Sequence, residues 1–507
     1  MLRSAPTDRF YLFLLLFSFL LPSQVSAYQQ DNEPVQVRLL RDISPRTIIV
    51  SSSATANLYS GDPTNPIAQL GNRQKLTLTT SNNQVYLRSA DGGIYARSLI
   101  IEQQAGEELT VEVAEARAVI SPRSYKGAFL IQVDPATPST LKIINMVPLH
   151  AYVESVLASE FGFNELEAAK AMAVSIRTIA YRTLQNQHGP EYAVPDNEMW
   201  QVYKGTHAIT ETVREAVAAT EGEVIRFNGE LAEAVYFASS GGHTANNEDV
   251  WDSSKIQPYL RGKDDPYDFN SPHHNWESTV SRDRLLRLLS DEFRFTANGI
   301  RILNRSRDGR VSTMAVTGEN DRMEELRSNK FRLLVNEWFG RETLKSTLFE
   351  VNVQPNMYIF SGKGFGHGVG LNQWGALQLS KKGNLYDEIL AYYYTDVEID
   401  QGGLVSRMLS ATGDAIEGAS DFFFDNEDSY NPSIDAYPTD NTYEAYEAGP
   451  VTVDLDAPLD VVAFDEDDYR EEAEEKPARQ RRKLFPLRKD PNRKPEKPRP
   501  ASKRIGW

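Results

Sequence analysis

The 507-residue sequence predicts an α+β protein: a β-rich N-terminal region over 34–147, a mixed helix-and-strand core over 148–400, and a disordered charged tail over 405–507. Three observations predict it. Short alternating runs of apolar and polar residues fill the N-terminal region, and helical periodicity begins abruptly at Pro148. Past residue 405 aliphatic residues thin out and charges gather in blocks of one sign.

A leader precedes the β-rich region. Arg3 and Arg9 stand before the apolar run "FYLFLLLFSFLLP", and Val25-Ser26-Ala27 fits a small-x-small cleavage site. Residues 1–27 therefore read as a signal peptide that exports the chain to the periplasm, cell wall or extracellular space. An uncleaved membrane anchor is the alternative, although the run is shorter than the ~20 residues a span needs. Cysteine is absent, so stability rests on packing rather than disulfides. Its absence also excludes thiol catalysis, cysteine-ligated zinc and a lipid-modified N-terminal cysteine. The net charge of −17 is unevenly placed: Asp414 to Glu475 is acidic, and Lys476 to Arg504 is basic and proline-rich. Either the two blocks attract each other, or the basic end grips an anionic surface such as wall polymer or phospholipid headgroups. Nucleic acid is excluded as a partner of an exported chain.

Strands are expected at "VQVRLL", "TIIVSSS", "KLTLTT", "QVYLRSA", "LTVEVAE", "GAFLIQV" and "LKIINMV", with a tight turn at Asp91-Gly92. Helices are expected at "LHAYVESVLASEF" and "NELEAAKAMAVSIRTIAYRTLQNQ". In the second, Leu166, Ala169, Ala173, Ile176 and Ala180 share one face and Asn164 serves as N-cap. A third helix, "ITETVREAVAATEG", ends at Gly222, and strands resume in "EVIRFNG" and "AEAVYFASS". Residues 278–348 read as a variable, charged stretch, and "NLYDEILAYYYTDVEI" as a final helix and strand.

Four places carry candidate chemistry. Glu160 ends the first helix between Ser159 and Phe161, with Phe163 close by. Aromatic neighbours desolvate a carboxyl group and raise its pKa, the setting of a general acid; a bare helix end on the surface is the other reading. Arg177, beside the alanine-rich face, either snorkels to solvent or reaches a carboxylate or sugar in a cleft. "FASSGGHTANNEDVW" joins a small-residue turn to polar and aromatic side chains, which suits a carbohydrate groove. It lacks the Gly-x-Ser-x-Gly elbow of a serine hydrolase.

The fourth is "GKGFGHGVGLNQWGALQLSKKG", where Gly364, Gly366, Gly368 and Gly370 alternate around His367. It matches neither Gly-x-Gly-x-x-Gly nor a P-loop. No His-x-x-x-His or acidic spacing supports a metal there. Alternating glycines let a polymer backbone approach, so the segment reads as a groove floor, with His367, Asn372, Gln373 and Trp374 as contacts.

Together "LHAYVESVLASEF", "EAAKAMAVSIRTIAYRTL", "QVYKGT", "YFASSGGHTANNEDVW", "PYLRG", the glycine-rich segment and "YDEILAYYYTDVEI" resemble the stage II sporulation protein D (SpoIID/LytB) family. They stand in the family's order and cover most of Leu149 to Ile399, so the resemblance makes the core one of SpoIID type. It implies a peptidoglycan lytic transglycosylase. The relatives called LytB imply instead a wall-binding enhancer of an N-acetylmuramoyl-L-alanine amidase. The resemblance places the catalytic acid on Glu160 and substrate contacts on Arg177, Ser240, Arg261, His367, Gln373 and Tyr393. Glycan strands are the implied substrate, and a sporulating or vegetative role is left open.

Two departures stand out. The family's Met-Pro after the glutamate is Phe161-Gly162 here. Many members bind zinc through a histidine and cysteine cluster before Gln-Val-Tyr, where this chain has "HGPEYAVPDNEMWQVY". His188 alone supplies too few ligands for a four-coordinate ion, so no metal or other cofactor is expected. Activity is accordingly expected to survive chelators unchanged. Elemental analysis finding one zinc per chain, lost together with activity on chelation, would overturn that expectation.

Overall fold

The computed structural model describes residues 34–400, apart from 61–64, 90–91, 104–105, 116–119, 187–192, 198–199 and 252–254. The leader, the charged tail, Asp91 of the expected Asp91-Gly92 turn and His188 lie outside the described residues. The chain is mixed α and β, with a β-rich N-terminal region.

All seven runs read as strands are strands. A seven-stranded sheet is ordered Val194–Pro195, Val35–Leu39, Leu141–Val147, Ala128–Val133, Ser98–Gln103, Ala56–Tyr59, Ala68–Leu70. A six-stranded sheet runs Arg123–Tyr125, Leu109–Val113, Thr47–Ser52, Lys75–Ser81, Gln84–Ser89, Gly92–Ala96. Alternate side chains of both, among them Val37, Ile48, Val50, Leu78, Val85 and Ile131, join one apolar core. Leu141–Val147 breaks the alternation and is buried almost throughout. It lies between two strands and runs through Pro148 straight into the first helix.

The helices, in chain order, are α1 (Leu149–Glu160), α2 (Leu166–Asn186), α3 (Glu211–Ala219), α4 (Asn247–Val250), α5 (Arg282–Phe293), α6 (Ser328–Phe339), α7 (Gln373–Lys381) and α8 (Tyr386–Tyr393). Helix α2 begins later than expected. Ala169 N donates to Glu165 O at 2.9 Å, so Glu165 rather than Asn164 stands at the cap. It is also buried on more than the expected face, because α1, α3, α7 and α8 surround it and every residue from Ala171 to Ala180 is buried. Its polar side chains turn back on their own helix. Ser175, Thr178 and Thr183 donate to the carbonyls of Ala171, Val174 and Ile179 at 3.0, 2.7 and 2.8 Å.

Residues 276–362 correct the reading of a variable, charged stretch. They build two three-stranded antiparallel sheets, one of Trp276–Ser281, Met357–Gly362 and Phe349–Val353, the other of Ala297–Arg305, Val311–Gly318 and Met323–Arg327. With α5 and α6 these enclose a second apolar cluster around Leu285, Leu289, Met314, Phe331, Val335 and Phe360. The charges sit outside it; α5 buries only Leu285, Leu288 and Leu289. The strand Val224–Phe227 pairs with both Glu230–Leu231 and the last strand, Glu398–Asp400, so the end of the core closes beside α2. Among the described residues no helix is long and apolar enough to cross a membrane.

Ala173 has no exposed surface in the middle of α2. Ala173→Leu should therefore destabilise the fold by about 1–3 kcal/mol through overpacking. Urea denaturation checks this, and an unchanged midpoint would mean that the packing around α2 is loose.

Candidate functional site

Helix α1 ends at Glu160 because Phe161 leaves the helical region (φ −132°, ψ 86°) and turns into the core, its N–H still on Leu157 O at 2.9 Å. Phe161 meets Phe163 edge-on at 4.9 Å, and Phe163 meets Trp374 at the same distance. This aromatic wedge fixes the helix end and leaves the Glu160 side chain half-buried.

The opposite side is closed by the "QVYKG" segment, Gln201 to Gly205. Ser155 Oγ donates to Gly205 O at 2.8 Å and accepts Gly205 N–H at 3.0 Å, while Lys204 N donates to Ser159 Oγ at 3.2 Å. One turn on, Val202 N donates to Glu160 Oε1 at 2.6 Å. The segment is pinned by Tyr203, stacked between Tyr125 and Tyr152 with ring centroids 5.6 and 5.4 Å away and its OH on Asn145 Oδ1 at 2.6 Å. The Tyr236 phenol faces the same carboxyl group, whose charge, after burial, pushes the phenol pKa up. Gln201 Nε2 donates to that phenol oxygen at 3.3 Å, and Tyr152 OH donates to Gln201 Oε1 at 3.0 Å.

Of the residues singled out from the sequence, Gln373 joins Glu160 directly, donating from Nε2 to its main-chain oxygen at 3.2 Å. Ser240 and Tyr393 meet in a second, buried network around Asp265. Tyr393 OH reaches both carboxylate oxygens at 3.3 and 3.4 Å, Asn372 Nδ2 donates at 2.8 Å, and Ser240 bonds the same side chain. Burial raises the Asp265 pKa above the usual carboxylate range despite these donors. Asn372 and Gln373 are consecutive, so the start of α7 ties this network to the carbonyl of Glu160.

Arg177 and Arg261 are both engaged by the protein's own groups. Arg177 points inward and donates to Val217 O at 3.3 Å and Glu223 O at 3.1 Å, with Thr220 Oγ1 beside both nitrogens. It caps the C-terminal end of α3, and burial draws its pKa down to about 10. Arg261 forms a two-pronged ion pair with Glu248 at 2.7 and 2.6 Å and also holds Asn247 and Gln257. His367 is likewise engaged. Its Nε2 donates to Tyr236 O at 2.9 Å and its Nδ1 accepts Val369 N–H at 3.1 Å. Burial first, and then the positive charge of Arg332, draws its pKa down to about 3, so the ring is neutral.

The alternating glycines correct the groove-floor reading. All four take positive φ, from 74° to 98°. A Cβ would lie 2.6 Å from Ser239 O at Gly364, 2.8 Å from Phe237 Cβ at Gly366, 2.6 Å from Arg310 Cζ at Gly368 and 2.1 Å from Val235 O at Gly370. The space a side chain would occupy is taken by the protein itself. Three of the glycines lie against every second residue of 235–239, and Gly368 lies against the fully buried Arg310, whose Nη2 donates to Ser240 O at 2.8 Å.

Sequence reasoning missed Tyr236, Gln201 and the Val202 amide. The signal for two of them was the segment "QVYKGT", and for Tyr236 its place at the head of "YFASSGGHTANNEDVW"; neither segment says by itself which side chain meets Glu160. Among the described residues no group of three or more histidine, cysteine, aspartate and glutamate side chains could hold a metal ion.

Residues 137–227, which include Glu160, Arg177 and Gln201, match the family model described as Stage II sporulation protein, and residues 244–370 match one described as Domain of unknown function (DUF8618). Stage II sporulation protein D of Bacillus subtilis (strain 168) is 28% identical over 324 residues, covering 60% of this chain and 90% of that protein. An uncharacterized protein of Brachyspira hyodysenteriae is 27% identical over 369 residues, or 72% and 92% of the two chains. An amidase enhancer of Bacillus subtilis (strain 168) is 28% identical over 278 residues, covering 45% of this chain and 37% of the enhancer.

The glycine geometry yields a paired test. Gly370→Ala combines positive φ with a close approach and should cost at least about 2 kcal/mol of stability. Gly383 has a φ of +90° and open space around it, so Gly383→Ala should cost only about 1 kcal/mol. Equal losses by urea denaturation would assign the whole effect to the dihedral angle.

Proposed function

We propose that this chain, which carries a domain of the Stage II sporulation protein family, is an exported lytic transglycosylase. It acts on peptidoglycan glycan strands between N-acetylmuramic acid and N-acetylglucosamine. The observation that carries the reading is the Glu160 carboxyl group: half-buried at a helix end, beside an aromatic wedge, held by the Val202 amide and faced by the Tyr236 phenol.

One carboxyl group suffices for the chemistry. Protonated Glu160 gives its proton to the oxygen that links muramic acid C1 to the next sugar. The C1–O bond breaks with its electron pair on that oxygen, and the leaving N-acetylglucosamine departs with a free 4-hydroxyl. Positive charge develops at C1 and its ring oxygen. The muramic acid's own 6-hydroxyl oxygen then bonds to C1, and the Glu160 carboxylate takes the hydroxyl proton. A 1,6-anhydro ring closes, no water is consumed, and Glu160 ends as it began. The nucleophile belongs to the substrate, so the two-carboxylate pairing of hydrolytic glycosidases is not required.

The match to an amidase enhancer over 45% of the chain favours a second reading. In it the protein binds the wall and enhances an N-acetylmuramoyl-L-alanine amidase without cutting strands itself.

Glu160→Gln separates the two. The amide oxygen still accepts the Val202 N–H, but the group can no longer donate and then accept the transferred proton. Production of anhydro-ended fragments from purified glycan strands, followed by mass spectrometry, should fall at least about a hundredfold with the melting temperature nearly unchanged. Undiminished cleavage by a folded variant would place the acid elsewhere. No cleavage by the unsubstituted protein, with amidase stimulation intact in the variant, would establish the second reading.

A further inference from the structure

We infer that Tyr236 and Gln201 are positioning residues for Glu160, forming with Tyr152 a one-way chain of hydrogen-bond donors that ends on its carboxylate. The inference rests on the reading of Glu160 as the acid and base, and deepens it.

The direction of the chain follows from its inner end. Tyr152 is buried in the middle of α1 with its ring stacked on Tyr203, and its OH donates to Gln201 Oε1 at 3.0 Å. The Gln201 amide is placed with its Oε1 end toward Tyr152. The Nε2 end, carrying only protons, then faces Tyr236 and donates to its oxygen at 3.3 Å. A phenol oxygen that accepts one hydrogen bond has its own proton left for another partner; the consecutive residues Gln201 and Val202 hold that phenol oxygen and Glu160 Oε1, which sets the carboxylate beside it. Burial, and next the Glu160 charge, push the Tyr236 phenol well above its usual pKa, so it keeps its proton wherever the carboxyl group titrates.

Position is fixed as firmly as direction. The Tyr236 main chain is held by His367 Nε2 at 2.9 Å, and Tyr236–Phe237 pairs in parallel with Leu371–Asn372. On the elements packed around Glu160, its own helix carries His150, Tyr152 and Glu154, the docked segment Tyr203 and Lys204, and the strand Tyr236; α7 begins with the neutral Gln373 and Trp374 and carries Lys381 in its last turn. A donor aimed at the carboxylate favours the ionised form. Tyr236 thus helps Glu160 in the second half of the proposed reaction, when it must stand as a base, and steers the proton it carries in the first half toward the substrate side.

The test measures the carboxyl group itself as well as catalysis. Full-length protein labelled at glutamate side-chain carbons is titrated by NMR, with Glu160→Gln identifying the signal. Tyr236→Phe keeps the ring and removes the donor, so the Glu160 midpoint should rise by about one pH unit. The alkaline limb of the cleavage profile should move up with it, with kcat lowered roughly tenfold or more and KM little changed. Gln201→Met should move the midpoint in the same direction by less, because Tyr236 keeps its proton but loses its orienting partner. An unmoved midpoint in folded Tyr236→Phe overturns the inference whatever the catalytic result. A raised midpoint in a protein whose strand cleavage is indifferent to Glu160→Gln keeps the chain of donors and removes the transglycosylase reading beneath it.

Discussion

The close approach of residues 364–372 to residues 235–241 is the constraint on which the site depends. Ser239 and Phe365 exchange both main-chain hydrogen bonds, at 3.0 and 2.8 Å, and Leu371 N reaches Val235 O at 3.1 Å. Backbones lie this near only because the positions between them carry no Cβ and take positive φ. Two consequences reach Glu160. The strand segment is held where its Tyr236 side chain meets the carboxylate, and the chain leaving the glycines enters α7 where Gln373 meets the Glu160 carbonyl. His367 belongs to the same joint: it fills the turn and braces Tyr236 O from a neutral ring. A segment that reads as a ligand loop is the hinge pin behind the Glu160 site.

The buried charges follow the same logic. An ionised group taken out of water must find partners, and here the partners are backbone ends and turns. Arg177 takes the free carbonyls at the end of α3, and Arg261 ties the α4 turn to the following loop. Asp268 accepts from Ser239 Oγ at 2.7 Å and Gly241 N at 2.8 Å. Each of these groups is spent on structure. Glu160 is half-buried with a helix end behind it, and the Val202 amide fixes its carboxyl group.

How much of this was legible divides along physical lines. The strands of the N-terminal region were readable because a sheet with one buried face writes its alternation into the chain, as in Val35, Val37 and Leu39. The aromatic, half-buried surroundings of Glu160 were readable from Phe161 and Phe163, which follow it in sequence. The burial of α2 on nearly every side was not, since its neighbours arrive from residues 211–219 and 373–393. Helix α7 was missed because it carries Gly375 inside and follows directly on a glycine-rich segment that reads as a loop. The direction of Arg177 was equally hidden: the carbonyls that attract it lie some forty positions away, at Val217 and Glu223. Local pattern reports elements; which polar group meets which is decided by the fold.

The module of residues 276–362 shows how that decision extends beyond one core. Its own apolar cluster would let it pack by itself, yet the turn between two of its strands sends Arg310 out of the module. That guanidinium, paired with Asp308 at 3.0 Å, ends on Ser240 O at 2.8 Å and against Gly368. Withdrawing it would strand a main-chain carbonyl and open a void beside the glycine, so the two cores are keyed by a group neither can release cheaply. Because Ser240 and Gly368 belong to the joint that holds Tyr236, the position of the module and the geometry at Glu160 are set by one set of contacts. A substitution deep in the module that displaces Arg310 therefore acts on the carboxyl group without touching it.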